Sequence, residues 1–411
     1  MKPIACILLG LLVSIGCAQP DAEEMPTAQQ SVAAASLTFQ EVPSPAAPGS
    51  GLPHLYAGAD GQVWLSWVEV LGEGHAALRF AQRQDTAWST PKTIAEGDDW
   101  FVNWADFPSL IALGEGVMAA HYLQKSAEST YAYDVRLTQS ADGGATWSNA
   151  LTPHDDDTQT EHGFVSMLPW DGDQVLAVWL DGRNTGGGHG GAMTLRAATV
   201  GADQSIQNEA ELDARICDCC QTSAARTANG AVVAYRDRSD EEIRDISVVR
   251  WKDGQWSDPQ TVYADDWHIE GCPVNGPAVT ADGERVAVAW FTAADDTPRV
   301  KLSFSPDEAV TFGEPVMVDD GQPIGRVDVV MLPDGRALVS WVERTDDGAE
   351  IRVRRVQADG TAEAAVRVAL TSPERASGFP RLVRSGDHLY MAWTEAGDPI
   401  QLHTAVAALL E

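Results

Sequence analysis

The apolar positions of this chain fall in short runs. Seven of those runs close on an aromatic residue: Trp67, Tyr122, Trp179, Tyr235, Trp290, Trp341 and Trp393. Successive spacings are 55, 57, 56, 55, 51 and 52 residues. So regular a period means one supersecondary unit repeated. Within each run the apolar residues are not confined to alternate positions. Val63, Leu65 and Trp67 are joined by Trp64 between them, as in a strand buried on both faces rather than one half-exposed in a sandwich.

Around each central run the pattern predicts three more strands. In the fifth repeat these are Gly276 to Thr280, Arg285 to Thr292, Arg299 to Ser305 and Pro315 to Val318. Asp60-Gly61, Asp282-Gly283 and Asp334-Gly335 fall at one phase of the repeat, where a tight hairpin needs positive φ. Four short antiparallel strands per period predict an all-β fold, a β-propeller of seven four-stranded blades, with six blades as the alternative. The last repeat supplies only three strands: Phe379 to Arg384, His388 to Thr394 and Ile400 to Ala405. The segment Ser36 to Val42 is expected to add the fourth, which would close the ring and hide both sheet edges.

Composition narrows the surroundings. A net charge of −32 argues against nucleic acid and against docking on anionic lipid, both of which need Lys/Arg surfaces. Residues 1–17 read as a signal segment: Lys2, then the apolar run Ile4 to Ile15, then Ser14-Ile15-Gly16-Cys17. Small residues before a single cysteine resemble a bacterial lipobox, which makes Cys17 the expected lipidation site. Residues 18–35, rich in Ala, Gln, Glu and Pro, read as a disordered tether, leaving 36–411 for the propeller. The implied location is the cell envelope, with the outer membrane or periplasmic side favoured. The lipid anchor is then the only membrane contact. Without Cys6 and Cys17, the cysteines number four: Cys217, Cys219, Cys220 and Cys272. An even number in an exported chain favours disulfides.

Ser140-Ala141-Asp142-Gly143-Gly144-Ala145-Thr146-Trp147 matches the Asp-box pattern S-x-D-x-G-x-T-W, and Ser305 to Phe312 is a decayed copy with Ala309 in the glycine's place. Both fall between the third and fourth strands of a repeat. On these motifs the chain from about Ser36 resembles the sialidase/BNR-repeat superfamily. The motif itself is a turn, with Ser140, Asp142, Gly144, Thr146 and Trp147 in structural roles. In the family it lies on the face opposite the active site. True sialidases carry an arginine triad, a Tyr nucleophile aided by Glu, an Asp acid/base and an early R-I-P-type motif. Here the early stretch is Asp106-Phe107-Pro108, without the arginine, and Phe379-Pro380-Arg381 in the last blade is the nearest variant. Tyr390 reads as core.

The face opposite the Asp-boxes receives the loops entering each first strand and leaving each second strand. Its unusual segments cluster at blades four to six. The candidate ligand-binding residues there are Arg236, Arg238, Arg326, Trp267, His268 and Asn275, since guanidinium groups grip carboxylate or phosphate. Asp237, Asp328 and Glu343 are the candidate acids, with Asp181 as a further one. Arg244 and Asp245 complete a charged cluster that could equally be an ion-pair network. Cys217, Cys219, Cys220 and Cys272 read either as disulfides or as a soft-metal site. No other cofactor is expected. His162 and His189 read as lone loop histidines. Two functions are compatible with this: an envelope protein binding a small molecule, glycan or protein at the Cys/Arg-rich face, or a glycan-active hydrolase.

Overall fold

The computed structural model describes Met1 and residues 37–72, 74–186 and 191–409. The signal segment, Cys17, the tether, Ser36 and His189 lie outside the described residues. The rest forms seven antiparallel sheets and two single 3-10 turns. The repeat therefore counts seven blades, and the six-bladed alternative falls.

A typical blade is the sixth: Pro323–Met331, Ala337–Thr345, Gly348–Val356 and Val366–Thr371, paired in that order. The fifth places its strands at Ala278–Asp282, Arg285–Thr292, Arg299–Ser305 and Val316–Met317, within two residues of the sequence-based bounds. The second blade has three strands, Ser109–Gly114, Val117–Lys125 and Tyr133–Ser140. Its fourth is reduced to a bridge between Leu137 and Leu151. The last blade, Arg381–Ser385, His388–Glu395 and Gln401–Ala408, is completed by Gln40–Val42 through Gln40↔Val406 and Val42↔Thr404.

The recurring aromatics are scaffold. Trp67, Trp179, Tyr235, Trp290 and Trp341 are all buried in their central strands. Two of the indoles donate to a carboxylate two residues on, Trp179 to Asp181 and Trp341 to Glu343, so these two acids satisfy buried N–H groups that would otherwise be orphaned.

The Ser140–Trp147 turn shows why its residues are spaced as they are. Asp142 Oδ1 accepts from the backbone of Ala145 and Thr146, and Ser140 Oγ accepts from Gly144 N. Gly144 has φ +75°, and a Cβ there would overlap Phe80 Cζ. In the second copy Ala309 takes the same left-handed conformation, φ +64°, with its N–H bonded to Ser305 Oγ at 2.9 Å.

Candidate functional site

The predicted arginine cluster is built into the scaffold. Arg236 is 2% exposed, and its guanidinium donates to the carbonyls of Asn275, Arg244 and Phe291. Its charge lies 4.8 Å from the Trp267 ring centre. Arg326 donates to Ser377 Oγ and to the carbonyls of Pro373, Glu374 and Gly378. Arg238 pairs with Glu242 at 2.7 Å and Asp218 at 3.2 Å. Three arginines converging on one anion is therefore not what the fold provides, because each is consumed by a different set of acceptors. Burial required this: a buried guanidinium must have its donors filled.

Most of the other predicted residues are also structural. Trp267 is buried edge-on against Phe291. Asn275 is buried, accepts from Arg326 N and donates to Ile324 O. Asp328 is buried and accepts from the backbone of Val329 and Leu382, tying blade six to blade seven. Glu343 caps Trp341 and Gln322 N. Asp237 accepts from Ser247 Oγ and Arg238 N. Burial, with Asp213 nearby, raises its carboxyl to about 6. His268 is the exposed member of the set.

The four cysteines are free thiols. Cys217 Sγ lies 3.4 Å from Cys220 and 3.9 Å from Cys219, well beyond the ~2.05 Å of a disulfide. Hydrogen bonding with Cys219 and Cys220, helped by the Arg236 charge, holds the Cys217 thiol well below its usual range. Arg244 Nη1 donates to its sulfur at 3.3 Å. Cys272 interacts with Cys219 from the loop entering the next blade. Cysteines from adjacent blades thus come near one another, but the disulfides expected from their even number are not formed.

A cavity of about 310 Å³ opens beside these thiols. Its lining includes Cys219, Cys272 and Asp218, the aromatic residues Trp104 and Tyr131, and the trio Asp106, Tyr133 and Glu161. The Tyr133 hydroxyl lies 2.8 Å from Asp106 Oδ2 and 2.8 Å from Glu161 Oε1. A phenol has one proton to give, so the second short contact requires a proton on a carboxyl group. Burial pushes Asp106 up to about 8, against the bonds from Phe164 N and Tyr133 that favour its anion. Burial and the charge of Asp218 push Glu161 up to about 7. Asp106 and Tyr133 are fully enclosed, whereas Glu161 is partly exposed. Arg375 stands exposed at the cavity and forms no ion pair among the described residues. A second, smaller cavity of about 160 Å³ runs down the channel past His54, Ser166 and Arg381.

The sequence-based search missed Tyr133 and Glu161 and passed over Asp106 as a place where an arginine was lacking. Asp106 and Tyr133 are 27 residues apart, and Tyr133 and Glu161 28, so no local motif unites them. Their common signal is positional. They sit in the loop entering blade two, at the start of its third strand and in the loop entering blade three, all on the face opposite the Ser140–Trp147 turn.

The fold is a seven-bladed β-propeller. No protein-family model matches the chain. No curated protein matches it either. Among solved structures it is similar to the polysaccharide lyase Uly1, at 10% identity over 93% of this chain and 94% of that chain, with a TM-score of 0.51. It is also similar to the GH93 alpha-L-arabinofuranosidase of Fusarium graminearum, at 15% identity over 88% of this chain and 93% of that one, with a TM-score of 0.48. The NanB sialidase of Streptococcus pneumoniae aligns at 9% identity over 87% of this chain and 68% of that one, with a TM-score of 0.46. At these identities the likeness is one of fold.

Proposed function

We propose that the protein is a glycan-active hydrolase whose site is the cavity around Glu161. The observation that carries this reading is the Tyr133 hydroxyl held at 2.8 Å between two carboxyl groups in a cleft. That trio keeps a carboxylic proton near neutral pH, which is what protonating a glycosidic oxygen requires. Glu161, the partly exposed member, is the general acid. Asp106 and Tyr133 are positioning residues that hold its proton and orientation. Asp218 supplies a second carboxylate, held by Arg238 at 3.2 Å, to stabilise positive charge developing at the sugar. The exposed Tyr131 ring suits stacking on a sugar. Arg375, which forms no ion pair among the described residues and lies over the Trp104 ring, suits a carboxylate on the substrate. Fold alone names no reaction; the reading rests on this cavity.

The test is turnover on a panel of fluorogenic glycosides that includes a sialoside and a uronide. Glu161→Gln should lower kcat by about 10²–10⁴-fold with little change in KM. Absence of turnover across the panel, or full activity in Glu161→Gln, would overturn the reading.

A further inference from the structure

The histidine read from sequence as a lone loop residue is half of a pair. His154 and His162 stack with ring centres 3.8 Å apart and planes 9° apart, both buried. One oxygen, Asp156 Oδ2, lies 3.2 Å from His154 Nδ1 and 3.1 Å from His162 Nε2. His162 Nε2 hydrogen-bonds to that oxygen, which leaves the His162 lone pair on Nδ1; His154 Nδ1 approaches the same oxygen. The remaining nitrogens, His154 Nε2 and His162 Nδ1, are buried and have no hydrogen-bond partner among the described residues. They face Asp134 Oδ1 at 3.9 and 3.7 Å. These three atoms lie within 4.8 Å of one another.

Two buried ring nitrogens without a hydrogen-bond partner among the described residues thus stand beside a carboxylate oxygen, an arrangement that a cation between them would satisfy. No donor reaches either nitrogen among the described residues. The two-nitrogen, one-carboxylate donor set suits a divalent transition metal. Asp156 is then the outer carboxylate that orients ligating imidazoles. Asp134 is 26% exposed at its side chain, so the group is not sealed from solvent. The neighbouring group Asp156, His162 and Asp181 is a weaker cage, because Arg183 already bonds Asp181 at 2.8 Å and approaches Asp156 at 3.4 Å.

We infer that Asp134, His154 and His162 form a binding site for a zinc-class divalent cation between blades two and three, oriented by Asp156. Coordination would tilt the two stacked rings about their bonds to Asp156, bringing both nitrogens onto one ion.

The test is titration of the folded chain with Co²⁺, read by absorbance. Cobalt on nitrogen and oxygen gives weak visible bands, whereas cobalt on the cysteines adds an intense near-ultraviolet thiolate band. The expected result is one equivalent bound with the weak bands alone, retained in the Cys219→Ser, Cys272→Ser double variant. Binding should be lost in Asp134→Asn and weakened about 10–100-fold in Asp156→Asn. Asp134→Ser serves if Asp134→Asn does not fold. No cobalt bound, only the thiolate band, or bands unchanged in the Asp134 variants would each overturn the inference.

Discussion

At the scale of single residues, the carboxyl group of Asp106 shows how burial sets chemistry. It is enclosed beside Tyr133 and accepts from Phe164 N at 2.8 Å, and burial holds it near 8, far above the ~3.9 of an unfolded chain. Below pH 4 both states carry the proton. Between about 4 and 8 the folded state keeps it while the unfolded state gives it up, so the folded state binds more protons and stability falls as pH rises. Glu161 at about 7 and Asp237 at about 6 add to the same slope. Asp106→Asn imitates the protonated acid: its oxygen can still accept from Phe164 and its amide can donate to Tyr133. The melting temperature of the wild type should therefore decline from pH 5 to 8. In Asp106→Asn the decline should be shallower, with the variant melting a few degrees higher than wild type at pH 8. Parallel melting curves for the two proteins across that range would show that Asp106 is ionised in the fold.

At the scale of elements, the Ser140–Trp147 turn is the best case for reading structure from sequence. Each residue of the motif has a bond or a conformation that requires it. Gly144 is left-handed and faces the Phe80 ring, so Gly144→Ala meets both a strained φ and an overlap. The cost should be about 1–3 kcal/mol, measured by chemical denaturation. Phe80→Leu should recover part of it in a double-mutant cycle; strictly additive losses would mean that strain in φ alone is responsible. Strand order and blade number were legible for the same reason, because period and two-sided burial are local properties of sequence. The site was not. Asp106, Tyr133 and Glu161 come from three separate elements and meet only once the blades are arranged around the channel. The arginines that looked functional, Arg236 and Arg326, carry charge in sequence but are spent on backbone carbonyls in space. His162 looked solitary because His154 and Asp134 reach it from the preceding blade and loop. Composition cannot distinguish a cation that binds a ligand from one that fills its donors internally, nor an isolated histidine from one of a facing pair.

At the scale of the whole molecule, the ring depends on a join between distant parts of the chain. Gln40–Val42 pairs with the strand that ends at Ala408, and Thr404 Oγ1 donates to Val42 O. His403 also bonds Glu41 across the join. Next to it, Gly49 N donates to Ile400 O, and Leu52 N donates to Thr394 Oγ1, so blades one and seven are linked by more than the added strand. Without residues 37–42 the seventh blade would present Gln401–Ala408 as an unpaired edge, a template for pairing with a second chain. The remaining contacts between blades would survive, because each blade packs on its neighbours through its own central strand. A chain lacking those residues should therefore keep its β-rich circular dichroism but melt in a broader transition and self-associate as concentration rises. An added peptide spanning 37–42 should reverse the association by occupying the edge. A truncated chain that stays monomeric, with an unchanged melting transition, would show that the ring is held by inter-blade packing alone and that the closing strand is dispensable.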